Sequence, residues 1–423
     1  MKKNAHILIV IVASLGYFVD IYDLVLFNVV KIGSLHDIMK GASDAAINDT
    51  GKFLFNMQMT GMLIGGILWG VWGDKKGRLS VLFGSILLYS VANIMNAFVT
   101  TVPAYAIVRV IAGIGLAGEL GAGITMVTES MSRKNRGWGT MIIVAFGALG
   151  AVLAATFNEH GESVTSFINS STGMQLVNWQ SAYILGGVMG LALLALRIGT
   201  FESGMYKEVK EKKIKRGYIG LLFRKKNFAR YLQCILIGIP IWYVIGLLLS
   251  NSQQDFAPAL HVEGVVNGEA LMYAYLGLSA GDLVSGLLSQ VMKSRRKVVL
   301  IYLLMTAVLV TYFLFFANGI SKNQYYTLSF LLGCSTGYWA IFVTIAAEQF
   351  GTNIRSTVAN TVPNFVRGTV PVIVALWGML CSLFSINVIN SAMYVGVLVL
   401  LLAFWALYKM NETFNKDLNY TEE

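Results

Sequence analysis

Charge is scarce in this chain. Asp, Glu, Lys and Arg make up 13% of its 423 residues, about half of what a soluble domain carries. Cysteine is scarcer still: Cys234, Cys334 and Cys381 are widely spaced inside apolar runs, which leaves neither a disulfide framework nor a metal-binding spacing. The four histidines are scattered, which also argues against a metal site. No hydrolytic or redox constellation stands out, and nothing resembles a nucleotide-binding loop. The sequence therefore reads as a non-enzyme, with no cofactor and no metal.

Apolar residues are abundant instead, at 56% of the chain, and the mean hydropathy is +0.65. Runs long enough to cross about 30 Å of hydrocarbon recur along the whole length. Twelve spans are predicted: 7–30, 54–73, 79–99, 103–129, 138–157, 180–199, 229–250, 270–291, 298–317, 325–350, 356–382 and 388–409. The first holds Asp20 and Asp23, so it is no cleavable signal with an uninterrupted apolar core. The expected fold is an all-α membrane protein of twelve transmembrane helices in two six-helix halves. The halves are 1–199 and 230–409, joined by a linker at 200–229 and followed by a tail at 410–423. Outer loops 31–53, 158–179 and 252–269 are polar and too poor in apolar residues to form a domain.

The net charge of +10 suggests a nucleic-acid partner until its distribution is considered. With the N-terminus in the cytoplasm, the inner segments hold 26 of the 32 Lys and Arg residues. The outer loops hold Lys31, Lys40, Lys52 and Lys322, and Arg109 and Arg367 lie inside spans. This asymmetry is the positive-inside pattern. It implies a multi-pass protein with both termini cytoplasmic, expected in a bacterial inner membrane as a monomer, with the bilayer and no nucleic acid as partner. The run Lys207–Arg216 reads as a charged amphipathic helix on the anionic inner leaflet, or as a solvated linker.

Two stretches repeat at half-chain distance. Glu129-Ser-Met-Ser-Arg-Lys-Asn-Arg136 returns 219 positions later as Glu348-Gln-Phe-Gly-Thr-Asn-Ile-Arg355. Gly70-x-x-Gly-Asp74-x-x-Gly77-Arg78 returns 216 positions later as Gly286-Leu-Leu-Ser-Gln290, with Arg295-Arg-Lys297 beyond it. In a membrane chain such a duplication points to two parallel halves with a substrate site at their interface.

The glycine-rich Asp74 loop and the duplicated Glu-x6-Arg resemble the major facilitator superfamily over essentially the whole chain. Four stretches are similar to its metabolite:proton symporter branch and to the neighbouring aromatic-acid symporters, sugar porters and organic-ion transporters. They are Asp20-Ile-Tyr-Asp23, Arg109-Val-Ile-Ala-Gly113-Ile-Gly115-Leu-Ala-Gly118-Glu119, Leu196-Arg197…Glu202-Ser203 and Glu412-Thr-Phe-Asn-Lys-Asp-Leu418. The resemblance implies a secondary transporter that moves a small molecule by alternating access. Three departures qualify it. Gln290 replaces the acid of Asp74, span 5 lacks the Gly-Pro motif of drug exporters, and span 7 lacks the Gln-Gln motif of sugar porters.

Ionisable groups at membrane depth are functional candidates, because burying each costs about 3 kcal/mol even on permissive scales. Six occur: Asp20, Asp23, Arg109, Glu119, Asp282 and Arg367. Four acids cannot all pair with two bases, so one acid should be able to load a proton. At 1.5 Å per residue, Asp23 and Arg109 fall at similar depth in the outer half, and an ion pair broken by protonation of Asp23 is expected, or else a static bridge. The resemblance agrees, since sugar-porter relatives use an aspartate and an arginine at these motif positions in proton coupling. Asp20 shares the face of Asp23, with Tyr17 beside it. It is a second proton site, a contact for a cationic group, or simply wet. Glu119, deeper among Gly113, Gly115, Gly118 and Gly121, is a further proton-coupling candidate with no evident partner.

Arg367, near Pro363, Gly368 and Pro371, should sit where an irregular helix lines a cavity and could grip a carboxylate bidentately. Alternatively it pairs with Asp282. Trp242, Tyr243, Tyr338 and Trp339 are candidates to stack on the solute or clamp a cation, or they pack. Gly70, Asp74, Gly77, Arg78, Glu129, Arg136, Glu348 and Arg355 lie at inner helix ends and are expected to time conformational switching. The expected function is proton-coupled uptake of a carboxylate or zwitterion, such as an organic acid, amino acid or betaine. Sugar uptake, organic-cation or drug efflux and a non-transporting sensor are the alternatives.

Overall fold

The computed structural model describes residues 3–123, 136–201, 219–416 and 422. The described chain is helical, with no strand among those residues. The first half holds α1 (Lys3–Ile38), α2 (Asp44–Lys76), α3 (Arg78–Asn96), α4 (Val102–Leu116), α5 (Arg136–Thr172) and α6 (Asn178–Phe201). The second holds α7 (Lys225–Trp242), α8 (Asn267–Val291), α9 (Arg295–Phe316), α10 (Lys322–Thr336, resumed as Trp339–Gln349), α11 (Arg355–Gly368, resumed as Val370–Ser382) and α12 (Val388–Lys409). Among the described residues eleven helices are long and apolar enough to cross a membrane. The twelfth, α5, contributes the shorter apolar stretch Phe146–Phe157.

Local chemistry fixes the helix starts. The hydroxyls of Ser43, Thr101 and Ser294 accept the backbone N–H three residues on, at the heads of α2, α4 and α9. Ser321 and Gln324 form a capping box at α10, and the Asn387 side chain caps α12. Each cap satisfies amides that no earlier carbonyl can reach. The α2–α3 turn needs Gly77 at φ 98, a left-handed conformation that glycine adopts without strain.

Three expectations need correction. Residues 31–38 continue α1 and 44–53 belong to α2 rather than to an outer loop, residues 158–172 continue α5 rather than forming a loop, and α7 begins at Lys225, inside the expected linker. The amphipathic run 207–216 lies outside the described residues.

The duplication is visible in the packing. Helix α1 lies on α5, α2 on α4 and α3 on α6; equivalently α7 lies on α11, α8 on α10 and α9 on α12. The halves meet along α2–α11 and α5–α8. Gly61 and Gly113 let α2 and α4 touch backbone to backbone, at Val110 and Gln58. Gly277 and Gly333 do the same for α8 and α10, at Phe330 and Ala274. The α2–α8 pairs differ by 216 positions and the α4–α10 pairs by 220, so one small-residue contact has been used twice.

Candidate functional site

Three helices lose regularity beside one residue. Helix α7 carries Pro240 and passes into a π-helical segment at Tyr243–Leu249. Helix α10 breaks at Gly337 and Tyr338, immediately before Trp339. Helix α11 breaks at Thr369, between Gly368 and Pro371. At this convergence lies Arg367, 2% exposed. Its guanidinium sits 5.2 Å from the Trp339 ring and 5.6 Å from the Trp242 ring. Its hydrogen bond goes to Asn364 Oδ1 at 3.2 Å, and Nε has no partner. No carboxylate among the described residues lies within ion-pair distance of it. A guanidinium carries five donors, so most of this one's capacity is uncommitted.

Both halves contribute acidic and phenolic groups nearby. Tyr17 and Asp20 of α1, in the first half, and Tyr275 and Asp282 of α8, in the second, lie within electrostatic reach of Arg367 or of one another. Tyr17 rests on Gly147 of α5, and Asp20 Oδ1 is buried without a hydrogen-bond partner. Asp282 does not pair with Arg367. Its Oδ1 accepts the Ala340 N–H at 2.9 Å, capping the resumed half of α10, and its Oδ2 is free.

Two of the expected aromatic contacts are committed elsewhere. The Tyr243 hydroxyl donates to the Ala392 carbonyl of α12 at 2.7 Å, and that of Tyr338 donates to the Ile237 carbonyl of α7 at 2.9 Å. Both tie helices together. Trp242 and Trp339 remain, edge to face at 6.4 Å.

The expected ion pair between Asp23 and Arg109 is not formed. Arg109 donates to Gln58 Oε1 and lies 4.4 Å from the Phe27 ring. Neither Asp23 oxygen makes a hydrogen bond of good geometry; Gly186 of α6 leaves the space its carboxylate fills, the Asn93 amide is its nearest donor, and Arg109 acts on it electrostatically. Glu119 does have a partner: Arg197 of α6 binds both its oxygens, and the pair is fully buried. Arg197 also donates to the Val12 carbonyl, and Gly16 of α1 leaves room for the pair.

At the α2–α3 end, Asp74 reaches across the halves to the first turn of α11. Its Oδ2 accepts the Thr357 N–H at 2.8 Å and the Thr357 hydroxyl at 2.5 Å, where a helix N-terminus favours negative charge. Gly70 lets the two backbones approach at Thr357.

Glu348 pairs with Arg295 of α9, bidentately at 2.7 and 2.8 Å, rather than with Arg355. Arg355 donates to the Ala347 and Phe350 carbonyls at the end of α10. Glu412 accepts from Ser294 and from the Arg295 and Arg296 amides at the head of α9. Burial pushes the Glu412 carboxyl up, but these bonds and the Phe414 amide outweigh it and hold the group below its usual range. Glu129 and the side chains of Arg78 and Arg136 lie outside the described residues.

Sequence reasoning missed Gln58, Tyr275, Asn364, Arg197 and Arg295. The two arginines had been absorbed into the positive-inside count. The three neutral residues carry no charge to draw attention.

Comparison with known proteins agrees with the architecture. The sequence profile of the Major Facilitator Superfamily matches residues 13–259. A Bacillus subtilis (strain 168) protein named as a niacin/nicotinamide transporter, NiaP, is 25% identical over 360 residues, 84% of each chain. The 3-(3-hydroxy-phenyl)propionate transporter of Escherichia coli (strain K12) is 25% identical over 73% of this chain and 72% of its own. The solved structure of the proton:xylose symporter XylE, bound to 6-bromo-6-deoxy-D-glucose, superposes with a TM-score of 0.69. It covers 99% of this chain and 98% of its own at 17% identity, a likeness of fold.

Proposed function

Because the chain belongs to the major facilitator superfamily, and is therefore an integral multi-pass transporter and not an enzyme, we propose that it imports a small aromatic carboxylate together with protons. The observation that carries this reading is Arg367, a buried guanidinium without an ion-pair partner beside two tryptophans where three helices break. A carboxylate would complete its hydrogen bonding bidentately, and a ring would lie against Trp242 and Trp339. Two relatives whose names include niacin and a hydroxyphenylpropionate support that class.

Asp20 and Asp23 are the proton-carrying candidates, since both are buried carboxyls with oxygens that nothing in the protein satisfies. Arg109, held on Gln58 beside Asp23, stabilises the ionised form after proton release. Glu119, just beyond α4, with Arg197 ties that segment to α1 and α6 and touches no solute. The α2–α3 end faces the cytoplasm, as the positive-inside pattern implies, and the protein works as a monomer. Asp74 on Thr357 bolts that end shut, while Lys52 on Asp255 bolts the other. In this reading, having both in place makes an occluded step of alternating access.

The test is uptake into proteoliposomes of the purified full-length protein, with nicotinate and benzoate against xylose as solutes and an imposed proton gradient. Concentrative uptake of the acids, abolished by collapsing the gradient, is expected. Xylose uptake alone, or acid flux indifferent to the gradient, rejects the reading.

A further inference from the structure

The end of the bundle away from the α2–α3 turn holds a cluster that the Arg367 site does not use. Lys31 of α1 is 4% exposed, its stem lying along Gly51 of α2. Its ammonium donates to the Ser250 carbonyl of the other half at 3.1 Å and to Asn28 Oδ1 at 3.4 Å. No carboxylate among the described residues is within ion-pair distance of it. Lys52 of α2 pairs with Asp255 at 2.9 Å, and the same carboxylate acts electrostatically on Lys31.

Two ammonium groups thus share one carboxylate. Between them lies a void of about 10 Å³, room for about one water, whose walls include Asn28, Asn56 and Asn251. The buried Asn56 Oδ1 has no hydrogen-bond partner. A buried ammonium served only by neutral oxygens is costly and retains a third proton to donate. The cluster is one anion short.

We propose that Lys31, with Lys52, forms a second anion site that accepts a small carboxylate when the halves part at this end. Both closing contacts span the halves: opening separates Lys31 from Ser250 and Lys52 from Asp255. The two ammonium groups then face the opening together, beside the amides of Asn28 and Asn56. A carboxylate takes the place of the Ser250 carbonyl on Lys31 through a charge-assisted bond. Closure returns that carbonyl and releases the anion inward, so the site receives the solute without retaining it. The choice of carboxylate rests on the reading of Arg367 given above.

The test uses the full-length chain in proteoliposomes, with Asn56→Cys as reporter and Cys334 and Cys381 replaced by serine. Anionic and cationic methanethiosulfonate reagents of similar size are compared, and benzoate is the probe ligand. A preference for the anionic reagent of about tenfold or more is expected, as electrostatic focusing gives. Lys31→Gln should cut it several-fold, Lys31→Gln with Lys52→Gln should abolish it, and Lys31→Arg should keep it. Benzoate should slow labelling in the parent and in Arg367→Gln, but not in Lys31→Gln. No preference for the anion, or one unchanged by Lys31→Gln, overturns the proposal. So does benzoate protection that vanishes in Arg367→Gln yet survives Lys31→Gln, since the carboxylate would then act from the Arg367 site alone. Protection that depends on Lys31 while Arg367 proves irrelevant to solute binding leaves this site standing and removes the Arg367 site.

Discussion

A lysine would serve poorly in place of Arg367, because an ammonium cannot offer two parallel donors in a fixed planar fork. Arg367→Lys is expected to weaken nicotinate or benzoate binding by about tenfold or more, the scale of a hydrogen bond to a charged group, read as a lost ligand-induced thermal shift. Undiminished affinity would remove the carboxylate from this residue. Asp23→Asn should still equilibrate solute across the membrane yet fail to concentrate it; concentrative uptake equal to the parent's would place coupling elsewhere.

Glu119→Gln should be a stability mutant first. It strands Arg197 in the interior, a loss of about 3–5 kcal/mol for a broken buried pair, visible as a lower melting temperature. Pairing it with Arg197→Met should recover part of the loss.

The six membrane-depth charges were legible because burial of charge is rare enough to be informative. Their partners were not. The helical rise gives height, and Asp23 and Arg109 do lie near one another, but rise says nothing of which neutral neighbour wins a guanidinium. Gln58 won Arg109, and Arg197, counted as an inner-face cation, won Glu119.

The helices themselves were largely readable from apolar length, with caps and proline marking their ends and breaks. Where the reading failed, the cause is local. Residues 158–172 are polar, but their one obvious interruption is Gly161, and a single glycine costs a helix only about 1 kcal/mol, so α5 runs on to Thr172. The π-helical segment after α7 has no signature beyond Pro240. The breaks matter more than the spans, because they free backbone groups around Arg367.

The break in α10 depends on Gly337, whose missing side chain lets it lie against Gly281 and the Asp282 amide. Gly337→Ala should therefore lower both the melting temperature and uptake by pushing α10 off α8. Gly378→Ala in the resumed half of α11 is the control, because nothing lies within 4 Å of the added carbon, and it should behave as the parent. Equal damage from both would mean that membrane-helix glycine in general, not this contact, sets the effect.

Across the whole molecule the two halves share a scaffold and diverge in their bolts. The glycine contacts repeat at 216 and 220 positions, but Asp74 has no acidic counterpart, since Gln290 stands there. The second half instead places Glu348 on Arg295 and Glu412 on the head of α9, contacts that stay within one half. Among the described residues the Asp74 contact crosses to the other half at the α2–α3 end, whereas its counterpart position does not carry an acid, which is why the duplicated motif alone could not reveal its role.

Removing it should release that end. Asp74→Ala loses a charged cap worth about 1–2 kcal/mol, shifting the balance toward opening there by about 5- to 30-fold, with faster amide exchange in the first turn of α11. Lys52→Gln, which unfastens Asp255 at the far end, should shift the balance the other way and slow that same exchange. If the halves rock as rigid bodies about a shared site, the two effects oppose, and the double variant returns near the parent. If both single variants speed exchange at α11, the ends open independently, and a two-state rocking molecule is the wrong description.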